Sequence, residues 1–219
     1  MPGTFITFEG IDGSGKSTQL RLLNNFLRAQ GWNPLVTREP GGTPVGLRLR
    51  AALLDASEEV DPLTELLVFA ADRAQHVRRV IRPALESGQI VISDRYADAT
   101  VAYQGAGRGF PPDLIAEIVF LATEGLKPDL TVLFDVGIEE STSRTTRRST
   151  GRNAANKAGR DRLDIEDAAF HSRVRDAYLQ IAAGEPERVK VVDASGPLEH
   201  TQERVKEVVV SFLKGRGHV

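Results

Sequence analysis

The sequence predicts one α/β domain over residues 1–219, built on a doubly wound parallel sheet of five strands flanked by helices. Short β-branched runs alternate with longer segments of helical period, which is typical of parallel strands joined by crossover helices. A chain of 219 residues, 41% of them hydrophobic, buries a substantial core, and its length fits one domain better than two. The sequence has no internal repeat that would indicate a solenoid or propeller.

Five apolar, β-branched runs are predicted to form the strands: Phe5 to Phe8, Leu35 to Thr37, Ile90 to Ser93, Leu130 to Phe134 and Val189 to Val192. The segments of helical period predict helices over Lys16 to Gln30, Gly46 to Leu54, Pro62 to Ser87, Pro112 to Glu124, Glu140 to Arg148, Ile165 to Ala183 and Leu198 to Lys214. One irregular insertion, residues 149–160, is rich in Gly, Ser, Asn and cations and has nothing to bury, so we expect a mobile surface loop.

Composition excludes several classes of protein and site. The formal net charge of −2 provides no bulk attraction to nucleic acids or anionic membranes, so neither is expected as a partner. The absence of cysteine excludes disulfides, thiolate nucleophiles and Cys-ligated zinc. No window approaches the ~18 consecutive apolar residues of a membrane span, and a cytoplasmic protein is expected. Positive charge is concentrated in one segment, residues 141–162, which contains seven cationic side chains and one acidic side chain.

A phosphate-binding loop motif follows the first predicted strand and precedes a predicted helix. Its glycines allow backbone N–H groups to wrap a phosphate, and the helix N-terminus adds a partial positive charge. In such loops the lysine reaches the β- and γ-phosphates and the following hydroxyl ligates Mg²⁺. The sequence therefore predicts a P-loop NTPase fold with a nucleotide site at Gly10, Ile11, Asp12, Gly13, Ser14, Gly15, Lys16, Ser17 and Thr18.

This motif does not identify the reaction, since kinases, GTPases, motors and synthetases share it. The Asn-Lys-x-Asp element of a GTPase is missing from the sequence, and 219 residues leave no room for the further domains of a motor. A nucleotide-dependent switch that hydrolyses ATP without a second substrate is a rival to a kinase. Saturation of ATP consumption by an acceptor distinguishes the two.

An acidic residue at the end of a parallel strand faces the crevice in which ligands bind. Asp94, after the third strand, and Asp135, after the fourth, both fit that position. Asp94 is preferred because its neighbour Arg95 supplies a phosphate clamp of fixed charge and bidentate geometry. The predicted ligands for Mg²⁺ are therefore Ser17 and Asp94.

Five segments, FEGIDGSGKST, TREPGGTPVG, FAADR, DRY followed by AYQG, and DRLDIED, resemble in that order the segments of bacterial thymidylate kinases. The resemblance spans nearly the whole chain, and it implies transfer of the γ-phosphoryl group of ATP to dTMP, giving dTDP and ADP in dTTP synthesis. It also implies Mg²⁺ and a homodimer formed through helices. The apolar stretches Leu63 to Ala71 and Ile115 to Ala122 suit such an interface, and they suit a core equally well. A kinase for UMP/CMP or guanylate is the nearest alternative.

The resemblance also assigns an acceptor site. Phe69 stacks on thymine and Arg73, four residues later on the same helical face, donates to O4; ordinary helix core is the other interpretation of Phe69. Thr100 and Gln104, in the loop after Asp94 and Arg95, contact the base edge or cap that loop. The remaining contacts implied are Tyr103 beside the deoxyribose, Asp12 near the 3′-hydroxyl, Arg50 on the phosphate directly and Arg38 in support.

Some thymidylate kinases carry an arginine in the phosphate loop, where this chain has Gly13. The resemblance then implies that a mobile lid, residues 149–160, supplies the missing cation. The sequence does not choose among Arg148, Arg152 and Arg160, although Arg152 and Arg160 lie within the lid. Arg144 is implied to stack on adenine in front of residues 194–197, and a solvent-facing helical arginine fits that position almost as well. Activity on dUMP is left open, because one methyl group changes binding by only ~1–3 kcal/mol.

Overall fold

The computed structural model describes residues 3–55, 59–151 and 162–217, with only the backbone described at 148–151 and at 164. Five parallel strands form one sheet in the order β2-β3-β1-β4-β5, which confirms the predicted doubly wound architecture. The strands are β1 Thr4–Glu9, β2 Leu35–Arg38, β3 Ile90–Asp94, β4 Leu130–Asp135 and β5 Val189–Asp193.

The register brings the predicted site elements to one edge of the sheet. Asp94 at the end of β3 pairs with Phe8 of β1, and Leu133 of β4 pairs with Glu9. The chain leaves β1 directly into the phosphate-binding loop. Ligands of doubly wound sheets bind outside the carboxyl ends of the strands, so this register places Asp94 beside that loop.

Helices cover both faces of the sheet. Their bounds are α1 Lys16–Ala29, α2 Pro44–Leu54, α3 Pro62–His76, α4 Arg82–Glu86, α5 Ala97–Thr100, α6 Pro112–Thr123, α7 Ile138–Gly151, α8 Ala168–Gly184 and α9 Leu198–Gly215, with a 3₁₀ turn at Arg162–Ile165. Among the described residues, none of these helices is both long and apolar enough to cross a membrane.

One predicted helix is interrupted. The segment Pro62 to Ser87 is not a single α-helix, because a π-helical turn, Val77–Ile81, separates α3 from α4. Pro83 is the second residue of α4, two positions after that turn ends. It lacks the N–H that a regular helix would donate, and its ring crowds the preceding turn, so a wider turn precedes it.

A second segment was predicted as a loop and is helical. α5, which ends at Thr100, continues into a π-helix, Val101–Gly107, that contains Tyr103 and Gln104. The glycines and β-branched residues of this segment have low helix propensity, so its sequence does not indicate a helix. The π-helix packs against α8, and a Cβ at Gly107 would lie 2.7 Å from the Phe170 ring, so tertiary packing overrides the weak local propensity.

The core lies on both faces of the sheet, as expected where helices cover parallel strands. Every residue of β1 is buried, and alternate side chains point to opposite faces. Phe5 packs with Val91 and Tyr96 on one face, whereas Ile6 and Phe8 join the larger cluster beneath α1, α8 and α9. Burial contributes about 1.5–3 kcal/mol for each such side chain, which makes the central strands a rigid base for the site.

Candidate active site

The phosphate-binding loop joins β1 to α1 and depends on glycine at two close approaches. Gly10 has φ 137° and a Cβ there would lie 2.5 Å from the Phe134 carbonyl oxygen. Gly13 has φ 78°, and its Cβ would lie 2.5 Å from the Ser141 carbonyl oxygen at the start of α7. Left-handed backbone and lack of space both exclude larger residues at these two positions, so the loop wraps tightly, as a loop that binds phosphate through its backbone must.

The Lys16 ammonium lies inside this loop. Its Nζ donates to the carbonyl oxygens of Gly10 and Ile11 at 2.9 and 2.8 Å and to Ser14 Oγ at 3.3 Å. Burial, together with the nearby charge of Arg95, lowers the pKa of Lys16 to about 8. The side chain therefore remains mostly an ammonium at neutral pH, and the negative charge of an incoming polyphosphate would raise its pKa again. Lys16 lines a cavity that is also lined by Asp12, Gly13, Gly15, Ser17 and Thr18.

The two predicted metal ligands lie side by side. Ser17 Oγ donates to Asp94 Oδ2 at 2.7 Å, and both line the cavity that contains Lys16. The competing acid, Asp135, accepts a bidentate ion pair from Arg175 Nε and Nη2 at 2.6 and 2.8 Å. A hydroxyl and a carboxylate oxygen are hard donors that suit Mg²⁺, so this pair fits the ion.

Arg95 lies at the wall between two cavities. Its φ of 72° is unusual for a residue with a side chain and costs about 1–3 kcal/mol. Nη2 donates to Asp12 Oδ1 at 2.8 Å and to the Tyr103 hydroxyl at 3.0 Å, while Nη1 donates to the Gly10 carbonyl oxygen at 3.0 Å and to the Tyr178 hydroxyl at 3.1 Å. The guanidinium is thereby oriented before any ligand binds.

Asp12 completes this arrangement. Burial would raise its pKa, but the charges of Arg95 and Lys16 and a hydrogen bond from Tyr103 (2.9 Å) hold that pKa well below its usual range. Asp12 is therefore ionised at neutral pH. Its carboxylate faces the second cavity and the phosphate-loop cavity at once.

Glu9 is linked to Arg95 through the Tyr178 hydroxyl, and it was not predicted as a site residue from the sequence. Its Oε2 accepts from the Tyr178 hydroxyl and its Oε1 from the Tyr96 N–H, both at 2.7 Å. Burial, and then the charge of Asp98, raises the pKa of Glu9 to about 7. An acidic residue ending an otherwise buried apolar strand was the one sequence signal for it; Tyr178, distant in sequence, had none.

The second cavity collects the predicted acceptor-site residues. It is lined by Asp12, Arg50, Phe69, Arg73, Arg95, Thr100, Tyr103 and Gln104, which are all of those residues except Arg38. Arg38 lies at the exposed end of β2 and lines the phosphate-loop cavity instead. Arg50 lines both cavities, and its Nη1 donates to the Pro40 carbonyl oxygen at 3.0 Å.

Arg73 is buried and held on three sides. Nε donates to Glu39 Oε2 at 2.7 Å, Nη1 to Thr100 Oγ at 2.7 Å and Nη2 to the Tyr96 carbonyl oxygen at 2.9 Å. His76 Nδ1 lies 2.9 Å from the other Glu39 oxygen. Glu39 was not among the predicted site residues, although it lies within the TREPGGT segment. Its carboxylate compensates the buried guanidinium, which would otherwise be costly.

Arg144 faces the phosphate loop rather than solvent. Nη2 donates to the Ala194 carbonyl oxygen at 2.9 Å and to Glu140, and Nη1 lies 3.5 Å from the Gly13 carbonyl oxygen. The side chain thus bridges the loop to the segment after β5. Arg152 and Arg160 lie outside the described residues, as does the side chain of Arg148.

Comparisons with known proteins point to one family. The thymidylate kinase family model matches residues 8–205. A thymidylate kinase of Geotalea uraniireducens is 47% identical, covering 96% of this chain and 98% of the relative, and one of Geobacter sp. (strain M21) is 51% identical, covering 98% and 95%. A crystal structure of a thymidylate kinase from Ehrlichia chaffeensis superposes with a TM-score of 0.74 at 34% identity, covering 95% of this chain and 99% of that one.

Proposed function

This chain belongs to the thymidylate kinase family, and on that premise we propose which residues carry its reaction. The chain is an ATP-dependent nucleoside monophosphate kinase that transfers a phosphoryl group from ATP to dTMP, giving dTDP and ADP. One observation carries the assignment of roles: Asp12, Arg50 and Arg95 line both the phosphate-loop cavity and the second cavity. That shared wall is where the two substrates' phosphates would meet.

The donor side is assigned to the phosphate loop. Its amides and the Lys16 ammonium bind the β- and γ-phosphates of ATP, while Arg144 lies against the adenine in front of Ala194. Ser17 and Asp94 would hold Mg²⁺, since their oxygens lie 2.7 Å apart in the same cavity. When bound, Mg²⁺ supplies charge neutralisation on the phosphate oxygens.

The acceptor base is assigned to the second cavity. Phe69 stacks on the pyrimidine, which contributes about 1–3 kcal/mol but distinguishes bases poorly. Each terminal nitrogen of Arg73 carries a second hydrogen beyond its contact with Thr100 or Tyr96. These donors suit the O4 acceptor of thymine and oppose the N4 amino group of cytosine. Base identity is therefore read by Arg73 and its neighbours.

The transfer itself needs orientation and positive charge rather than a general base. The phosphate of dTMP is largely dianionic at neutral pH, because its second pKa is about 6. Arg95, fixed by Asp12, and Arg50 hold that phosphate in line with the γ-phosphate, with Arg38 in support. Tyr103 lies beside the deoxyribose and Asp12 near its 3′-hydroxyl. A further arginine from residues 149–160, Arg152 or Arg160, supplies transition-state charge, an effect worth ~10³–10⁵ in related reactions.

We also propose a homodimer and a cytoplasmic location, where ATP and nucleoside monophosphates are available. α3 and α6 pack together and expose Leu63, Leu67, Phe120 and Leu121, the last two at 68% and 76% exposure. Adjacent apolar side chains of this size indicate an interface. Leu121→Glu is expected to give a monomer in sedimentation velocity, whereas Val191→Glu, at another exposed apolar position, leaves the dimer intact. A monomeric unmodified protein at micromolar concentration would refute the dimer.

The activity is tested by phosphate transfer from ATP with magnesium to dTMP, dUMP, dCMP, UMP and GMP in parallel. Formation of dTDP, with dTMP preferred over dCMP and both ribonucleotides, is expected. Lys16→Ala provides the matched control, since it removes the phosphate-binding cation from the same loop. If purified protein forms no dTDP, or if another monophosphate is preferred, the proposal is wrong.

A further inference from the structure

Glu65 is a buried carboxylate that lies outside the cavity lining yet contacts a residue within it. It is 0% exposed on α3, four residues before Phe69. Its Oε1 accepts from Gln104 Nε2 at 2.8 Å, and Gln104 lines the second cavity together with Thr100 and Phe69. A fully buried charge in the wall of a binding pocket requires a reason for its presence.

Two arginines hold this carboxylate in place. Arg108 donates to it through Nε and Nη2 at 3.2 and 3.0 Å, and Arg162 donates through Nη2 while its Nε donates to the Leu53 carbonyl oxygen at 3.1 Å. Burial by itself would raise the pKa of Glu65, but the hydrogen bonds from Arg108, Gln104 and Arg162 lower it. The group is therefore ionised across the physiological range, and its position is fixed by Gln104 and Arg108, from the π-helix and its C-terminal cap, and by Arg162 of the 3₁₀ turn.

An ionised carboxylate accepts hydrogen bonds and donates none. The Gln104 amide must therefore turn its NH₂ group toward Glu65, which leaves its carbonyl oxygen for the cavity. The two ends of a glutamine amide have nearly the same shape and opposite hydrogen-bonding character. Whichever atom faces the cavity thus decides whether the cavity wall accepts or donates at that point.

We propose that Glu65 is a specificity-determining positioning residue, which orients the Gln104 amide so that its oxygen accepts from the N3–H of thymine. This inference rests on the proposed function. Cytosine carries a lone pair at N3, which the same oxygen repels. Glu65 thus acts through Gln104, which accepts a hydrogen bond at position 3 of the base, whereas Arg73 donates one at position 4. The two residues therefore select thymine over cytosine independently.

The test compares dTMP with 5-methyl-dCMP, which has the thymine methyl group but the hydrogen-bonding pattern of cytosine. Glu65→Gln keeps the shape of the side chain and allows either orientation of the Gln104 amide. The ratio of kcat/KM for dTMP over 5-methyl-dCMP is expected to fall on the order of 10-fold, mainly through KM for dTMP, with KM for ATP unchanged. If the role of Glu65 were purely structural, kcat/KM would fall equally for both substrates and the ratio would stay constant.

Two further variants separate orientation from the ion pairs. Arg108→Met removes one cation from the same carboxylate without touching the amide, so the ratio should be retained. In a Gln104→Ala background there is no amide to orient, so adding Glu65→Gln should change the ratio no further. If Arg108→Met lowers the ratio as much as Glu65→Gln does, the arginine pairs and not the amide explain the effect, and the inference is wrong.

Glu65→Asp covers the case in which Glu65→Gln does not fold. Aspartate keeps the negative charge that pairs with the two arginines. Its side chain is one methylene shorter, so its carboxylate lies farther from the Gln104 amide and the ratio of kcat/KM values should again fall. A retained ratio in a folded Glu65→Gln or Glu65→Asp variant overturns the inference. Absence of dTMP phosphorylation by the unmodified enzyme would instead overturn the proposed function, which keeps the two failures distinct.

Discussion

The buried carboxyl of Glu9 makes the stability of this enzyme depend on pH in a direction that can be calculated. Burial and the charge of Asp98 raise its pKa to about 7, against 4.5 for an exposed glutamate. Between these two values the folded protein keeps a proton that the unfolded chain releases. Stability from this group is thus fully present below pH 4.5, falls as pH rises, and is lost above pH 7.

The size of the effect follows from the two pKa values. A difference of about 2.5 units, at about 1.4 kcal/mol per unit, corresponds to about 3 kcal/mol. That is a large share of the roughly 5–15 kcal/mol by which a folded domain is stable. Glu9→Gln carries a neutral amide at every pH. Its oxygen accepts from the Tyr96 N–H, and its NH₂ group faces the Tyr178 hydroxyl.

The measurement is urea unfolding of both proteins at pH 5, 6, 7 and 8 at constant ionic strength. The free energy of unfolding of the unmodified protein, relative to Glu9→Gln, is expected to drop by about 2–3 kcal/mol between pH 5 and pH 8, because part of the full effect is already lost at pH 5. Glu185→Gln serves as the control, because hydrogen bonds from Arg188 lower the pKa of that carboxyl and it stays ionised throughout. Parallel pH profiles for the unmodified protein and Glu9→Gln would refute the argument.

Other perturbations test the remaining assignments. Lys16→Ala and Arg95→Ala should each reduce turnover by ~10³ or more with an unchanged circular dichroism spectrum, and near-normal turnover in either variant contradicts its role. Gly13→Ala should lower Tm and raise KM for ATP, because the new Cβ meets the Ser141 carbonyl oxygen in a backbone conformation that costs about 1–3 kcal/mol; an unaltered KM would count against the tight loop. Arg73→Ala should weaken, without abolishing, the preference for dTMP over dCMP in competition and destabilise the fold by about 3–5 kcal/mol, since it leaves Glu39 buried beside His76 alone; unchanged selectivity removes the assignment.

Much of the architecture was predictable from local pattern. All five strands lie where β-branched runs occur, each within one or two residues of its predicted bounds. The phosphate loop was predictable because its glycines and lysine are adjacent in sequence. The resemblance to thymidylate kinases likewise indicated residues of an acceptor site, and all of them except Arg38 line the second cavity.

The interrupted helix and the π-helix were not predictable from periodicity. Pro83 lies within a segment whose apolar spacing is otherwise helical, and the wide turn before it leaves that spacing largely unchanged. In the segment Val101–Gly107 the local propensity is weak, and packing against α8 decides its conformation. Thr100 and Gln104 therefore project from a helix with defined directions rather than from a loop.

Sequence by itself was sufficient for the sheet, the phosphate loop and the family, because these depend on period and on residues that are neighbours along the chain. Only the tertiary structure shows which groups pair with the buried charges. Glu9 contacts Tyr178 across 169 positions, Glu65 contacts Gln104 across 39, and Arg73 contacts Glu39 across 34. No local pattern encodes such pairs, because the cost of burying each charge is offset by a group that only the tertiary fold brings within hydrogen-bonding distance.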